Sequence, residues 1–189
     1  MSGKEKFNKY IYIINTTSLL INLLPNILIN RLWDFINNWN GKLGIVLRYC
    51  ILKTNSKSCG ENVFIGKNVY INCFENLSIG NNVSIHANSY IDASGNIYIG
   101  DNVSIAHSTS ILSSDHTWDD KSLPIKYNKL SLKPVTIKSD VWVGCGVRIL
   151  AGSFINKRVV IAAGAVVNKT IESNILAGGI PAKKIKLLE

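Results

Sequence analysis

Between residues 65 and 167 the chain sets down an aliphatic side chain at an almost constant interval of six: at 65, 71, 79, 85, 91, 99, 105 and 111, then at 137, 143, 149, 155, 161 and 167. The successive gaps are 6, 8, 6, 6, 8, 6, 6, then 26, then 6 five times. Four residues after each of these anchors an Ala, Ser, Thr or Val follows in ten of fourteen cases, among them Val69, Val83, Ser89, Val103, Thr109, Val141, Val147 and Ser153. A period of six matches neither the 3.6 of a helix nor the spacing of a hairpin protein, whose turn signals come every ~8–12 residues. It fits short strands separated by corners and stacked coil upon coil, with the anchor pointing inward and its small partner sharing the interior.

The pattern explains an odd composition. The 189 residues hold 27 Ile and 22 Asn, a strand former beside a turn former. Isoleucine builds the ladders. Asparagine and glycine turn the corners: Gly66, Asn72, Gly80, Asp92, Gly100, Gly144, Asn156 and Asn168 stand directly after anchors, with Asn68, Asn82, Asn88 and Asn102 close by, where tolerance of left-handed backbone lowers the steric cost. At 47% hydrophobic and 17% charged, the chain is no disordered or low-complexity polymer, and its length suits one domain with a short appendage.

The appendage is the amino-terminal quarter. Apolar residues from Tyr10 to Ile29 are interrupted by Asn15, Asn22, Pro25 and Asn26, which argues against a spanning helix or secretory signal. Helical spacing in Ile27, Leu28, Leu32, Phe35 and Ile36, and again in Leu43, Val46, Leu47, Cys50 and Ile51 beyond a break at Gly41 and Gly44, predicts two or three short helices over residues 5–53. They either pack on the coil or a second subunit, or lie on a membrane surface as amphipathic elements, with Lys9, Arg31, Lys42 and Arg48 suited to the second. The expected organisation is thus a helical segment over 1–58 and a β-coil domain over 59–189.

The pattern resembles the hexapeptide repeat of the acyltransferase superfamily, over residues 60–186. That resemblance implies an all-β fold, a left-handed parallel β-helix with three strands per coil, preceded by the short α-helical segment and carrying one long loop. Taken by threes, the anchors Ile85, Ile105, Val143 and Ile161 share one face, and Ile91, Ile111, Ile149 and Val167 the next.

The 26-residue gap contains residues 112–134, a polar loop that adds nothing to the core, and long insertions in regular solenoids serve sites. His116 stands at its root, and an imidazole, ordinarily titrating near ~6.5, suits general-base work. The blocks around Asp115-His116 and Val141-Trp142-Val143-Gly144 look like the catalytic region of hexapeptide O-acetyltransferases, closest to the galactoside, maltose and antibiotic enzymes and those acting on surface-polysaccharide sugars. The resemblance makes His116 the catalytic base and places Trp142 at the transfer site. It puts His86 and Asp92 against the acceptor, with His107 as a structural neighbour. Acetyl-CoA is the implied co-substrate, held by Trp142, Gly144, Cys145, Ala163, Asn168 and Lys169, with Lys183 and Lys186 of the 175–189 tail near its phosphates in place of arginines.

A homotrimer is implied, with acetyl-CoA between neighbouring coils. The acceptor class is a sugar hydroxyl of a capsule, O-antigen or other surface-polysaccharide precursor; an antibiotic or a free sugar is the alternative within the fold. Two readings from other classes are a non-catalytic scaffold and a metal enzyme like the γ-carbonic anhydrases. The second needs three histidine ligands, and His86, His107 and His116 do not reproduce that set, so no metal is expected. Four unpatterned cysteines read as free thiols in a reducing, cytoplasmic setting, with the helices able to touch the inner face of the membrane. The formal charge of +9 suits coenzyme A phosphates or an anionic surface better than nucleic acid, for which no reading element is present.

Overall fold

The computed structural model describes residues 3–189, with the side chains of residues 4, 6, 8 and 26 outside the description. Three helices, α1 (Gly3–Ile21), α2 (Asn26–Ile36) and α3 (Gly41–Asn55), precede a coil whose first strand is Ser58–Cys59. The helical break falls at residues 37–40, and Gly44 lies inside α3 rather than at a break. It is glycine for a packing reason: a Cβ there would sit 2.6 Å from the Trp39 carbonyl oxygen and 3.0 Å from Arg48 Nη1.

The coil is a stack of parallel strands in three sheets. The first sheet runs upward through Ser58–Cys59, Leu77–Ile79, Ile97–Ile99, Val135–Ile137, Phe154–Ile155 and Thr170–Ile171. The second runs through Phe64–Ile65, Ser84–Ile85, Val103–Ile105, Val141–Val143, Val159–Ile161 and Ile175–Gly178, and the third through Tyr70–Asn72, Tyr90–Asp92, Ser110–Leu112, Arg148–Ile149 and Val166–Val167. Register places like on like, Ile85 on Ile105 on Val143 on Ile161 and Ile91 on Ile111 on Ile149 on Val167, as the period requires. Apart from Ile71 at 6%, the anchors from Ile65 to Val167 are no more than 4% exposed, so the core is one column of aliphatic side chains.

Glycine and asparagine divide the corners between them. The glycines directly after anchors need no left-handed backbone; they need to be small, because a Cβ on Gly66, Gly80, Gly100 or Gly144 would come within 3 Å of the next coil's backbone. The left-handed position lies two residues further on, at Asn68, Asn82, Asn88 and Asn102. Their side chains then ladder, Asn62 to Asn82 and Asn82 to Asn102 at 3.0 Å each.

A stack of parallel strands leaves the carbonyls of its lowest coil unpaired. The helices close that end. Tyr49 Oη donates to the Gly60 carbonyl at 2.9 Å, Arg48 Nε to that of Ile65 at 3.0 Å, and Asn37 Nδ2 to that of Val69 at 3.0 Å. Arg48, 2% exposed, also reaches the carbonyls of Ile36, Asn37 and Trp39, which fixes the α2–α3 connection beneath the coil. At the other end Lys183–Leu187 folds back antiparallel on Ile175–Gly178. The outer side of the helices stays apolar, with Leu19, Leu20, Leu23, Leu24, Ile27 and Leu28 all exposed. Among the described residues no helix is long and apolar enough to cross a membrane.

Candidate active site

The long gap is not the polar loop that the spacing suggests. Ser114–His116 pairs antiparallel with Leu130–Leu132, Ser114 opposite Leu132 and His116 opposite Leu130, so the insertion is a β-hairpin. Asn128 ties its tip, accepting from the Asp120 amide at 2.9 Å and donating to the Asp120 carbonyl at 3.2 Å. Trp118, Ile125, Tyr127, Leu130 and Leu132 are exposed on it, each more than half. His116 is exposed at its root, held by the backbone pairing on either side.

His86 and His107 lie at the second corner, the one following second-sheet strands. His86 is exposed, its amide donates to the Ile105 carbonyl at 2.9 Å, and its ring lies 5.5 Å from that of Phe64. The same corner becomes a strip of small residues in the upper coils: Ala106, then Gly144-Cys145-Gly146, then Ala162-Ala163-Gly164. The Gly146 amide donates to the His107 carbonyl and the Gly164 amide to the Cys145 carbonyl, one coil on the next. A Cβ on Gly146 or Gly164 would meet nothing within 4 Å, so an extended chain can lie along the strip.

Trp142, 56% exposed, points outward from the second sheet, in a column with Val160, Leu176 and, across the antiparallel tail, Lys186. The two border a groove of about 460 Å³ lined also by Asn102, Ser104, Asp140 and Arg158. Arg158 pairs with Asp140 at 3.3 Å. The sequence reading missed these last four. Their alignment follows from coil stacking, which places Ser104 beside Trp142 across 38 intervening chain steps.

The resemblance sets Asp92 against an acceptor; in the structure its carboxylate is bonded within the chain. It ends the Tyr90–Asp92 strand, 8% exposed, and its carboxylate is already occupied: Oδ1 accepts from Asn72 Nδ2 at 3.0 Å, Ser94 Oγ at 2.5 Å and the Ser94 amide at 3.2 Å, and Oδ2 from Ser114 Oγ at 2.5 Å. Burial pushes this carboxyl up, but the bonds from Ser114, Ser94 and Asn72 together outweigh it and hold it below the usual carboxylate value. Asn168 and Lys169 lie beyond the last third-sheet strand, at the corner that also carries the hairpin, and Lys183 is on the tail strand, opposite Gly178. One chain therefore brings Trp142 to Lys186, and Gly144 and Cys145 to Ala163, but leaves His116 on a different edge. Among the described residues no three of His, Cys, Asp or Glu gather as metal ligands.

No protein-family profile matches the chain. Among solved structures it resembles a maltose O-acetyltransferase from Clostridium difficile 630, at 30% identity over 85% of this chain and 84% of that one, with a TM-score of 0.76. A hexapeptide-repeat acetyltransferase from Vibrio cholerae, complexed with acetyl coenzyme A, superposes over the whole of both chains at 25% identity and a TM-score of 0.74. The galactoside O-acetyltransferase of Escherichia coli K12 is 42% identical over 53 residues, 28% of this chain. Alignments with the curated relatives span about a quarter of those proteins' length, 25–27% in the first three. The coil is the left-handed β-helix of these neighbours. By this similarity and by its repeat, the chain belongs to the hexapeptide-repeat acetyltransferase family.

Proposed function

We propose that the protein transfers the acetyl group of acetyl-CoA to a sugar hydroxyl of a surface-polysaccharide precursor, with His116 as general base. The observation that carries this reading is an exposed histidine held at the root of a hairpin that interrupts a hexapeptide coil. The acceptor hydroxyl gives its proton to His116 as its oxygen attacks the thioester carbonyl. The C–S bond then breaks, and the imidazolium returns the proton to the CoA thiolate. Holding both substrates together supplies the rate advantage without an acyl-enzyme.

The small-residue strip through Gly144, Cys145 and Ala163 suits a pantetheine arm, and Lys183 and Lys186 supply point charges for phosphates. Trp142 and the exposed His86 are the acceptor-side groups. His116 sits at the third corner, whereas the strip follows the second, and this separation supports a homotrimer in which one copy's hairpin meets its neighbour's strip. The exposed Trp118, Ile125, Tyr127, Leu130 and Leu132 give that hairpin an apolar surface to bury. Residues 10–30 carry no charge and are bounded by Lys9 and Arg31, which, with the exposed leucines of α1 and α2, supports contact with a membrane bearing a lipid-linked precursor.

The test is release of CoA thiol from acetyl-CoA with a panel of sugars, nucleotide sugars and oligosaccharides. His116→Ala is expected to lower kcat by roughly 10²–10⁴-fold with the KM for acetyl-CoA little changed. A variant that keeps near-wild-type kcat overturns the base assignment.

A further inference from the structure

The coil's excess residues collect at its third corner, between a third-sheet strand and the next first-sheet strand. Residues 93–96 are the excess of the second coil, and the hairpin from Ser113 is that of the third. The two lie directly on each other. The Ser113 amide and Ser113 Oγ both donate to the Asp92 carbonyl, at 3.0 and 2.7 Å, and the Gly95 amide donates to Ser113 Oγ at 2.8 Å. On the return strand the Lys133 amide donates to the Ser113 carbonyl at 2.9 Å. Gly95 must be glycine, because a Cβ there would collide with that same carbonyl oxygen and approach the Lys133 amide to 2.9 Å.

Within this contact the Asp92 carboxylate bonds to both coils. Oδ1 is fixed by its own coil, through Asn72 and Ser94. Oδ2 reaches across to the hairpin and accepts from Ser114 Oγ. Ser114 opens the strand that ends at His116, two residues on, so its hydroxyl sets the angle at which the strand leaves the coil. A hydroxyl bonded to a carboxylate is held about twice as strongly as one bonded to a neutral acceptor, and a carboxylate with four donors has little freedom to swing.

We propose that Asp92 is a positioning residue: its carboxylate latches the hairpin to the second coil through Ser114 and so aims His116 at the acceptor hydroxyl. The kinetic part rests on the proposed role of His116; the mechanical part does not.

The two parts are tested together. Asp92→Ala and Ser114→Ala are assayed for kcat and for KM of both substrates, and native protein is digested briefly with trypsin, whose sites Lys121, Lys126 and Lys129 lie in the hairpin. Asp92→Ala is expected to lower kcat about tenfold or more, to leave the KM for acetyl-CoA unchanged and to raise the rate of hairpin cleavage by a similar factor. Ser114→Ala, which leaves the coil intact, is expected to move both readouts in the same direction by less, and the double variant to cost no more than Asp92→Ala alone. The latch is overturned if cleavage stays at the wild-type rate in both single variants. It is equally overturned if Asp92→Ala raises only the KM for the acceptor, which would make Asp92 an acceptor contact. Faster cleavage with unchanged kcat overturns the aiming role, and His116→Ala activity read alongside shows whether the failure lies there or in the base assignment.

Discussion

Arg48 offers the sharpest test of how the coil is closed. Among the described residues its buried guanidinium bonds to four backbone carbonyls: Ile65 at 3.0 Å, Trp39 at 3.0 Å, Ile36 at 3.2 Å and Asn37 at 3.3 Å. Two of these have other donors, since Trp39 donates to Ile36 and Asn68 to Asn37 through their amides. The Ile65 carbonyl belongs to the lowest second-sheet strand, with no coil beneath it, and depends on Arg48. Methionine fills much of the same volume but donates nothing. It strands the Ile65 carbonyl and weakens the hold on Trp39, at about 1–3 kcal/mol for each buried acceptor. Against that, the desolvation that lowers the Arg48 pKa is relieved. The balance is a loss of about 2–4 kcal/mol. For a chain of this size that is a fall in Tm of roughly 4–16 °C. Thermal unfolding followed by circular dichroism measures it, and hydrogen exchange is expected to quicken first at residues 64–70. If Arg48→Met melts within about 2 °C of wild type with protection in that segment intact, the helices are packed against the coil without capping it.

Two further outcomes follow from the same geometry. Because the Asp92 carboxyl is depressed in the folded protein, its bonds contribute fully above the unfolded carboxylate value of 3.8 and are lost as pH falls through the lower folded value. The gap in denaturant midpoint between wild type and Asp92→Asn is therefore expected to be full at pH 6 and to close below about pH 4; a gap independent of pH refutes the charge's role. On the outer surface, Leu20→Asp combined with Leu23→Asp is expected to abolish co-sedimentation with anionic lipid vesicles while leaving Tm within about 2 °C, and equal sedimentation by the double variant refutes membrane contact through this face.

The repeat was legible because it is set by single side chains: an aliphatic anchor every sixth residue is both the pattern and the core. His116 was legible because it stands where that pattern lapses. The cap was harder to see. Arg48 and Asn37 look like ordinary polar residues on amphipathic helices, and only the presence of unpaired carbonyls at the coil's foot gives them a task. The bonds of Asp92 were hidden for a related reason. An acidic residue directly after an anchor carries no sign of its partners, and the donors that hold it are Ser94 on its own coil and Ser114 on the next, 22 residues on. The hairpin's antiparallel pairing was masked because its alternation is short and faces solvent, so no buried side marks the period.

The way insertions are absorbed decides where chemistry can be placed on this coil. In the first and second sheets the register advances by 20, 20, 38, 18 and 16 residues from one coil to the next. The third sheet follows the same advances through its last strand. An undisturbed coil takes 18, three strands of six. Every departure, two residues gained twice, twenty gained once and two lost at the top, falls between the third-sheet anchor and the next first-sheet anchor. The other two corners keep six-residue steps throughout and therefore stack backbone on backbone without slack, which is what a continuous groove for an extended ligand needs. A side chain carried out on an insertion leaves this coil at the third corner, and it is steadied there by the residues on either side of the insertion. The Asp92 carboxylate, one coil below His116, is where that constraint is met.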